Sequence, residues 1–417
     1  MMMGEKDKKE GLSRQEEFSL TPQELLVEEA VSKSNRMTIG VPCETDLEEL
    51  RVMIKPEAVT VLTANGFEVR VENGAGIGAN HSDQEYADAG AIMTSNHEDV
   101  FKSDIVLKIN PPTLEEISFM RKGKTVVSVL QFNSLNKEYL KAVNQKKLTC
   151  VAFNYIEDRV AGLPFVRAMS EIAGSTVMLV AAEYMSNSKG GRGVILGGIT
   201  GVPSARVVIL GAGTVAEYAA RTAAGLGAEV KVFDNHIYKL RRLKEKLGQF
   251  HLFTSAIDNL MLEDAISRAD VVVGALRNNQ GRCPTVVTEE VVSKMKENAI
   301  IIDVSIDHGG CFETSEPTTH QNPTFKKYGV IHYCVPNIAS RVSQTATAAI
   351  SNIFTPYLIS LSETGSVEKL MLAHQGFTKG VYAYRGSMTN DVLASQYGMS
   401  SKDLNLILAA SMETRMG

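Results

Sequence analysis

The chain has 417 residues, 44% of them hydrophobic and 22% charged, which is enough apolar material for two cores and places it among globular proteins. A net charge of −5 with no long basic run gives no basis for a nucleic-acid surface. The five cysteines (Cys43, Cys150, Cys283, Cys311 and Cys334) are scattered and form no CxxC pair, and no uninterrupted apolar stretch reaches about eighteen residues; a soluble cytoplasmic protein without a metal site or membrane partner is expected.

Residues 1–36 read as a polar extension, in which Thr21-Pro-Gln-Glu starts a short helix with an apolar stripe at Leu25, Leu26, Ala30 and Val31. A strand at 37–41 opens a first domain. It continues with a helix after Pro56, strands at 68–72, 105–109, 125–130 and 149–153, and a short helix near 83–90. Strands alternating with helices at this spacing predict an α/β domain with a largely parallel sheet. A helix at 169–186 and a glycine-rich segment from Lys189 lead into the second domain.

The second domain opens on RVVILGAGTVAEYAARTAAGLGAEVKVFD, residues 206–234. An aliphatic strand runs into Gly211-Ala-Gly213-Thr-Val-Ala216, then a helix, then a strand that stops at Asp234. In a dinucleotide site Gly211 permits the tight turn, Gly213 admits a pyrophosphate against the backbone, and the phosphates rest on the N–H groups of the helix beginning near Thr214. Asp234 is spaced to accept both ribose hydroxyls and would repel a 2′-phosphate, which favours NAD over NADP. A second GxGxxA copy, Gly74 to Ala79, is followed by a polar segment and lacks the later acid-capped strand, so it is expected to be a loop. Strands at 270–276, 299–304 and 330–335 follow, and then a helix at 345–361, after which the chain is expected to return to the first domain.

Several blocks in this order resemble the alanine dehydrogenase family, a relative of the nucleotide-binding subunit of proton-pumping transhydrogenase. They are Gly40-Val-Pro-Cys-Glu-Thr, Arg51-Val, Met169-Ser-Glu-Ile-Ala-Gly174, Gly197-Gly-Ile-Thr-Gly-Val202, the Gly211 loop, Ile306-Asp307-His-Gly-Gly-Cys-Phe-Glu-Thr, Pro317-Thr-Thr-His320 and Val335-Pro-Asn337. The MSEIAG block favours the dehydrogenase branch. The resemblance implies two Rossmann-like, doubly wound domains with a cleft between them: a substrate domain at 37–164 plus 344–417, and an NAD domain at 165–343. It implies an NAD-dependent oxidoreductase interconverting L-alanine with pyruvate and ammonia, assembled as a homo-oligomer, commonly a hexamer. Arg51 matches the family's substrate arginine, and a guanidinium can grip a carboxylate by two parallel hydrogen bonds. Asp307, expected at a strand end on the ligand side of the sheet, matches its essential carboxylate. Ser170, Gly211, Gly213, Thr214, Val215, Asp234, Lys239, Thr254, Asn337 and Ile338 are the implied cofactor contacts.

Two positions depart from the family. Its substrate lysine and its general acid/base histidine align with Asn110 and Gln131, neutral amides that carry no proton at neutral pH. A positioned acid/base is worth about 10²–10⁴ in rate. Lys108 is a candidate replacement, on the same face as Asn110 if the strand persists. His308 stands where the family usually has glutamine, and as the immediate neighbour of Asp307 it is expected to point away. The segment from Arg277 to Arg282 is more polar than its family equivalent. The alternatives are therefore a working dehydrogenase, with a native or altered substrate, and an NAD(H)-binding sensor or subunit that has lost catalysis. A transhydrogenase subunit is the third.

Overall fold

The computed structural model describes residues 36–130, 135–277 and 283–416. The helix expected from Thr21, Gln131 and residues 278–282 lie outside the described residues. Thr38–Gly417 forms one compact unit built on two sheets.

The first sheet contains β1 (Thr38–Val41), β2 (Glu68–Glu72), β3 (Ile92–Thr94), β4 (Ile105–Leu107), β5 (Thr125–Ser128), β6 (Thr149–Ala152), β14 (Val381–Tyr384) and β15 (Ser387–Met388). The second contains β7 (Arg206–Leu210), β8 (Glu229–Phe233), β9 (Leu252–Ser255), β10 (Val271–Gly274), β11 (Ile300–Asp303), β12 (Thr324–Lys327) and β13 (Val330–Tyr333). Their orders are β15-β14-β6-β5-β4-β1-β2-β3 and β12-β13-β11-β10-β7-β8-β9. Six strands of each sheet are parallel and follow the doubly wound order, with the first and fourth adjacent at the centre. The antiparallel additions lie at one edge of each: β14–β15 beyond β6, and β12 beyond β13. Central strands such as β4 (IVL), β10 (VVVG) and β11 (IIID) are buried throughout, as sheets covered on both faces require.

Two long helices flank the junction, α1 (Pro164–Tyr184) and α3 (Ser343–Thr364), and they pack on each other. α1 starts five residues before the expected 169 because Pro164 occupies its first turn, where a missing N–H costs nothing. By length and composition α1 is apolar enough to cross a membrane, but it is a core helix, laid along α2 (Thr214–Gly225). Gly174 of the MSEIAG block makes that packing possible: a Cβ there would lie 2.4 Å from the Val215 carbonyl oxygen.

Five strands carry no readable sequence signal. β3 is largely solvent-accessible, β9 buries only Leu252, β12 and β15 are edge strands, and β14 joins the sheet beside β6 from more than two hundred residues away. Other strands are shorter than expected, and β4 stops at Leu107 rather than 109, three residues before Asn110 of the Asn110-Pro111-Pro112 segment.

Candidate active site

The loop between β7 and α2 has the geometry of an anion cradle. Gly211 has φ +110°, its N–H donates to the Phe233 carbonyl at 2.7 Å, and a Cβ there would meet the Ala275 carbonyl at 2.5 Å. Only glycine fits. Gly213 is in extended backbone and a Cβ on it would meet nothing within 4 Å, so the space in front of it is open. It precedes the twelve-residue α2 and offers no side-chain cap, leaving the first-turn N–H groups at Thr214 and Val215 facing that space. Ala216 is fully buried, where a larger side chain would push the helix off the sheet. The second GxGxxA copy is closed: a Cβ on Gly76 would meet the Tyr86 ring at 2.5 Å and one on Gly78 the Leu50 carbonyl at 2.8 Å. Its small residues serve packing.

Asp234 follows β8 and is 4% exposed. Its Oδ2 accepts from the Ala212 N–H at 2.8 Å, and its Oδ1 from the His236 N–H at 2.7 Å and contacts His236 Nδ1 at 2.9 Å. Ser170, Gly211, Gly213, Thr214, Val215, Asp234 and Lys239 all line one cavity of about 800 Å³, joined by Arg242 and Arg277. Neither Lys239 nor Arg242 has an ion-pair partner among the described residues. These residues fit a dinucleotide. Thr254 does not line the cavity; it pairs with Val232 inside β9, one strand beyond the Asp234 strand. Ile338 is also absent from the lining, its side chain packed in the core of the second sheet.

A second cluster is assembled from three distant segments. The loop carrying Arg51 is laced to the C-terminal half: Leu50 N–H to Ser340 Oγ (3.2 Å), Val52 N–H to Thr347 Oγ1 (3.1 Å) and Lys55 N–H to Ser351 Oγ (3.2 Å). Arg51 is 7% exposed, and Glu49 takes its Nε (2.7 Å) and Nη2 (2.6 Å) side-on. Among the described residues the end-on Nη1–Nη2 edge meets only the Met169 sulfur, at 3.5 Å from Nη1, and retains donors for one carboxylate. Asn337, in the left-handed region (φ 54°), donates its Nδ2 to Glu49 at 3.0 Å and its backbone N–H to Asp307 Oδ1 at 3.0 Å. Asn337 therefore bridges two carboxylates rather than lining the nucleotide cavity. Glu49 was not anticipated; its position two residues before a buried arginine was the only available signal.

Asp307 is not at a strand end. β11 ends at Asp303, and Asp307 sits on the following 3₁₀ turn, Val304–His308. The strand-end aspartate is Asp303, whose carboxylate takes the Ser305 and Cys311 N–H groups and Ser315 Oγ and so closes the Gly309-Gly310 turn. Asp307 is left with a solvent-open face. The protein mass surrounding it raises its carboxyl above the ordinary range, against the Asn337 N–H, His308 and Arg51, which pull it down.

Lys108 is not a replacement for the absent lysine. The strand ends at Leu107, so the same-face argument fails, and the Lys108 side chain is sealed. Its Nζ pairs with Glu44 at 2.9 Å and lies 3.7 Å from Glu116. Glu44 also accepts the backbone N–H groups of Ile109 (2.6 Å) and Asn110 (3.3 Å), and Glu116 lies 3.3 Å from His97, which pairs in turn with Glu72. Asn110 lines a separate cavity of about 400 Å³ with Asp46, Thr113, Asn136 and Tyr139. Among the described residues no group of histidine, cysteine and carboxylate side chains is arranged to hold a metal ion.

The two clusters meet on α1, where Met169 touches Arg51 and its neighbour Ser170 lines the nucleotide cavity. Family models agree with this architecture. The alanine dehydrogenase/PNT N-terminal domain matches residues 40–173, and the C-terminal domain of the same family matches 177–391. The chain belongs to the alanine dehydrogenase/PNT family. Within it, the alanine dehydrogenase of Mycolicibacterium smegmatis is 37% identical over 89% of this chain and 100% of its own length. That of Bacillus subtilis is 35% identical over 87% of this chain and 95% of its own. A solved L-alanine dehydrogenase superposes with a TM-score of 0.82 at 34% identity, covering 87% of this chain and 99% of that one. The transhydrogenase from Sinorhizobium meliloti shares the fold, with a TM-score of 0.72 at 24% identity over 85% of this chain and 99% of that one.

Proposed function

We propose that the chain is a cytoplasmic, homo-oligomeric, NAD-dependent dehydrogenase that interconverts L-alanine with pyruvate and ammonia, a hexamer as the family resemblance implies. The observation that carries this reading is the adjacency of Met169 and Ser170, which joins an open guanidinium edge to a dinucleotide-shaped cavity. The first sheet, extended by β14–β15, corresponds to a substrate domain at 37–164 plus 344–417, and the second to an NAD domain at 165–343.

The bound cofactor supplies a hydride acceptor for Cα. Arg51, pre-oriented by Glu49, holds the substrate carboxylate through its Nη1–Nη2 edge and so aims the single Cα hydrogen at the ring. Asp307, its carboxyl raised by its surroundings, sits within electrostatic reach of Arg51 and stabilises the cationic nitrogen that forms at Cα. Asp234 selects the unphosphorylated ribose, and the α2 N-terminus takes the pyrophosphate.

The test is NADH oxidation by the purified chain with ammonia and a panel of 2-oxo acids, with NADH binding measured separately. Turnover led by pyruvate supports the reading. Turnover only with another 2-oxo acid reassigns the substrate and makes Asn110 a specificity residue. NADH binding with no turnover leaves a nucleotide-binding protein, the reading that Asn110 itself favours.

A further inference from the structure

A dehydrogenase of this kind needs a group that carries a proton between water and the substrate nitrogen, and neither Asn110 nor Gln131 does so. Of the eight histidines in the chain, seven are engaged or enclosed. His97 pairs with Glu72 and Glu116, His236 with Asp234, His332 with Thr314 and His374 with Ser360. His251 stacks edge-on against Phe253, and the Nε2 atoms of His81 and His320 are buried. His308 is exposed, and among the described residues neither of its ring nitrogens has a partner.

Its place on the fold matters more than its freedom. On a strand, the side chain after Asp307 would face the opposite way. The segment is instead a 3₁₀ turn, Val304–His308, where successive side chains diverge by only about 120°. The turn is closed by Gly309 at φ +96°, and the His308 carbonyl is tied by the Cys283 N–H at 2.7 Å to the far end of the segment that begins at Arg277. Arg277 lines the nucleotide cavity, and its charge and that of Asp307, on the same turn as His308, both act on the His308 ring.

We propose that His308 is the proton-transfer residue of this chain, in the role the family gives to the histidine that Gln131 replaces; the inference rests on the dehydrogenase reading above. In the deamination direction, hydride loss from Cα of the neutral amine leaves a substrate iminium. Water adds to Cα: the C–O bond forms, the C=N π pair moves to nitrogen, and His308 takes the water proton. His308 returns that proton to nitrogen. The hydroxyl electrons then close C=O, the C–N bond breaks with its pair leaving as ammonia, and the hydroxyl proton passes to solvent. One water is consumed, and the proton His308 takes is the one it gives back.

The charged groups facing His308 are Asp307 on its own turn and Arg277 from the segment after β10; burial and Arg277 lower its pKa, and Asp307 raises it. The neutral, proton-accepting form therefore persists below the ordinary histidine range, and deamination is lost as pH falls through that lowered pKa. His308→Gln, which keeps the shape and removes the proton, is expected to lower kcat about 10²–10⁴-fold and to abolish the acid limb of kcat/KM for alanine. Arg277→Gln is expected to move that limb to higher pH. Apart from turnover, pyruvate added to the protein is expected to raise the His308 titration midpoint followed by NMR, since a carboxylate then lies beside the ring. An H308Q enzyme that keeps its rate and acid limb, or a His308 midpoint indifferent to pyruvate, overturns this inference and leaves the dehydrogenase reading standing. A wild-type chain that binds NADH but turns over no 2-oxo acid overturns both.

Discussion

At Arg51 the chemistry is governed by which guanidinium edge is spent. Glu49 consumes the Nε–Nη2 side, so the arginine is held rigid while one bidentate edge stays available. Arg51→Lys replaces that fork with a point charge that must choose between Glu49 and substrate, and the KM for pyruvate is expected to rise about 10–100-fold, the loss of about 1.5–3 kcal/mol of charge-assisted hydrogen bonding. Steady-state kinetics check it; an unchanged KM removes Arg51 from substrate binding. Asp307→Asn keeps the acceptor for the Asn337 N–H but not the charge, and kcat is expected to fall about 10²–10⁴-fold with NADH affinity retained. Wild-type kcat sinks the Asp307 assignment. Reading at this scale from sequence had mixed success for a physical reason. Arg51 and Asp307 carry motifs, but Asp303 and Asp307 are chemically identical, and only the turn shows which one is consumed by backbone N–H groups.

At the scale of elements, glycine decides how closely α1, α2 and β7 approach. Gly174→Ala drives a methyl group to 2.4 Å from the Val215 carbonyl, in the first turn of α2. The expected outcome is a loss of about 1–3 kcal/mol in stability together with weaker NADH binding, read by thermal melting and fluorescence titration. A loss of stability with unaltered NADH affinity shows that the helix end does not move. Gly76→Ala offers a contrast: its Cβ would also clash, on Tyr86, but in the closed second copy, so stability is expected to drop without a change in NADH affinity once the protein is folded. The two copies look alike as sequence because the pattern records only where side chains are small. Whether the space in front is filled by protein or left open is a tertiary fact.

Across the whole molecule, the network under the Asn110 turn links the segments that follow β1 and β4 to two short helices through buried charge. Lys108 faces Glu44 and Glu116 with its side chain fully enclosed. Lys108→Met strands those carboxylates, and about 3–5 kcal/mol of stability is expected to be lost, measurable as a lowered denaturant midpoint. A variant as stable as wild type contradicts the structural role assigned here. Burial pushes Glu44 above the ordinary carboxylate range even against Lys108. Removing the lysine takes away a group that holds it down, so the variant's deficit is expected to grow as pH rises through the raised pKa, where the folded state must hold an unpaired charge.

Sequence alone determined the local facts: that the buried aliphatic runs are strands, that the chain alternates β and α twice, that Gly211 must be glycine, and that Asp234 follows the strand beside it. Each rests on interactions between residues close along the chain, and short-range backbone and packing constraints leave their mark in local pattern. The tertiary structure decided everything that depends on distant partners. β14 adds to β6 across more than two hundred residues, Asn337 joins Glu49 to Asp307, α3 pins the Arg51 loop, and Lys108 is enclosed while the His308 ring has no partner among the described residues. A buried lysine and a substrate lysine have the same letter. Only the packing of other segments around them says which one still has a proton or a hydrogen bond to give.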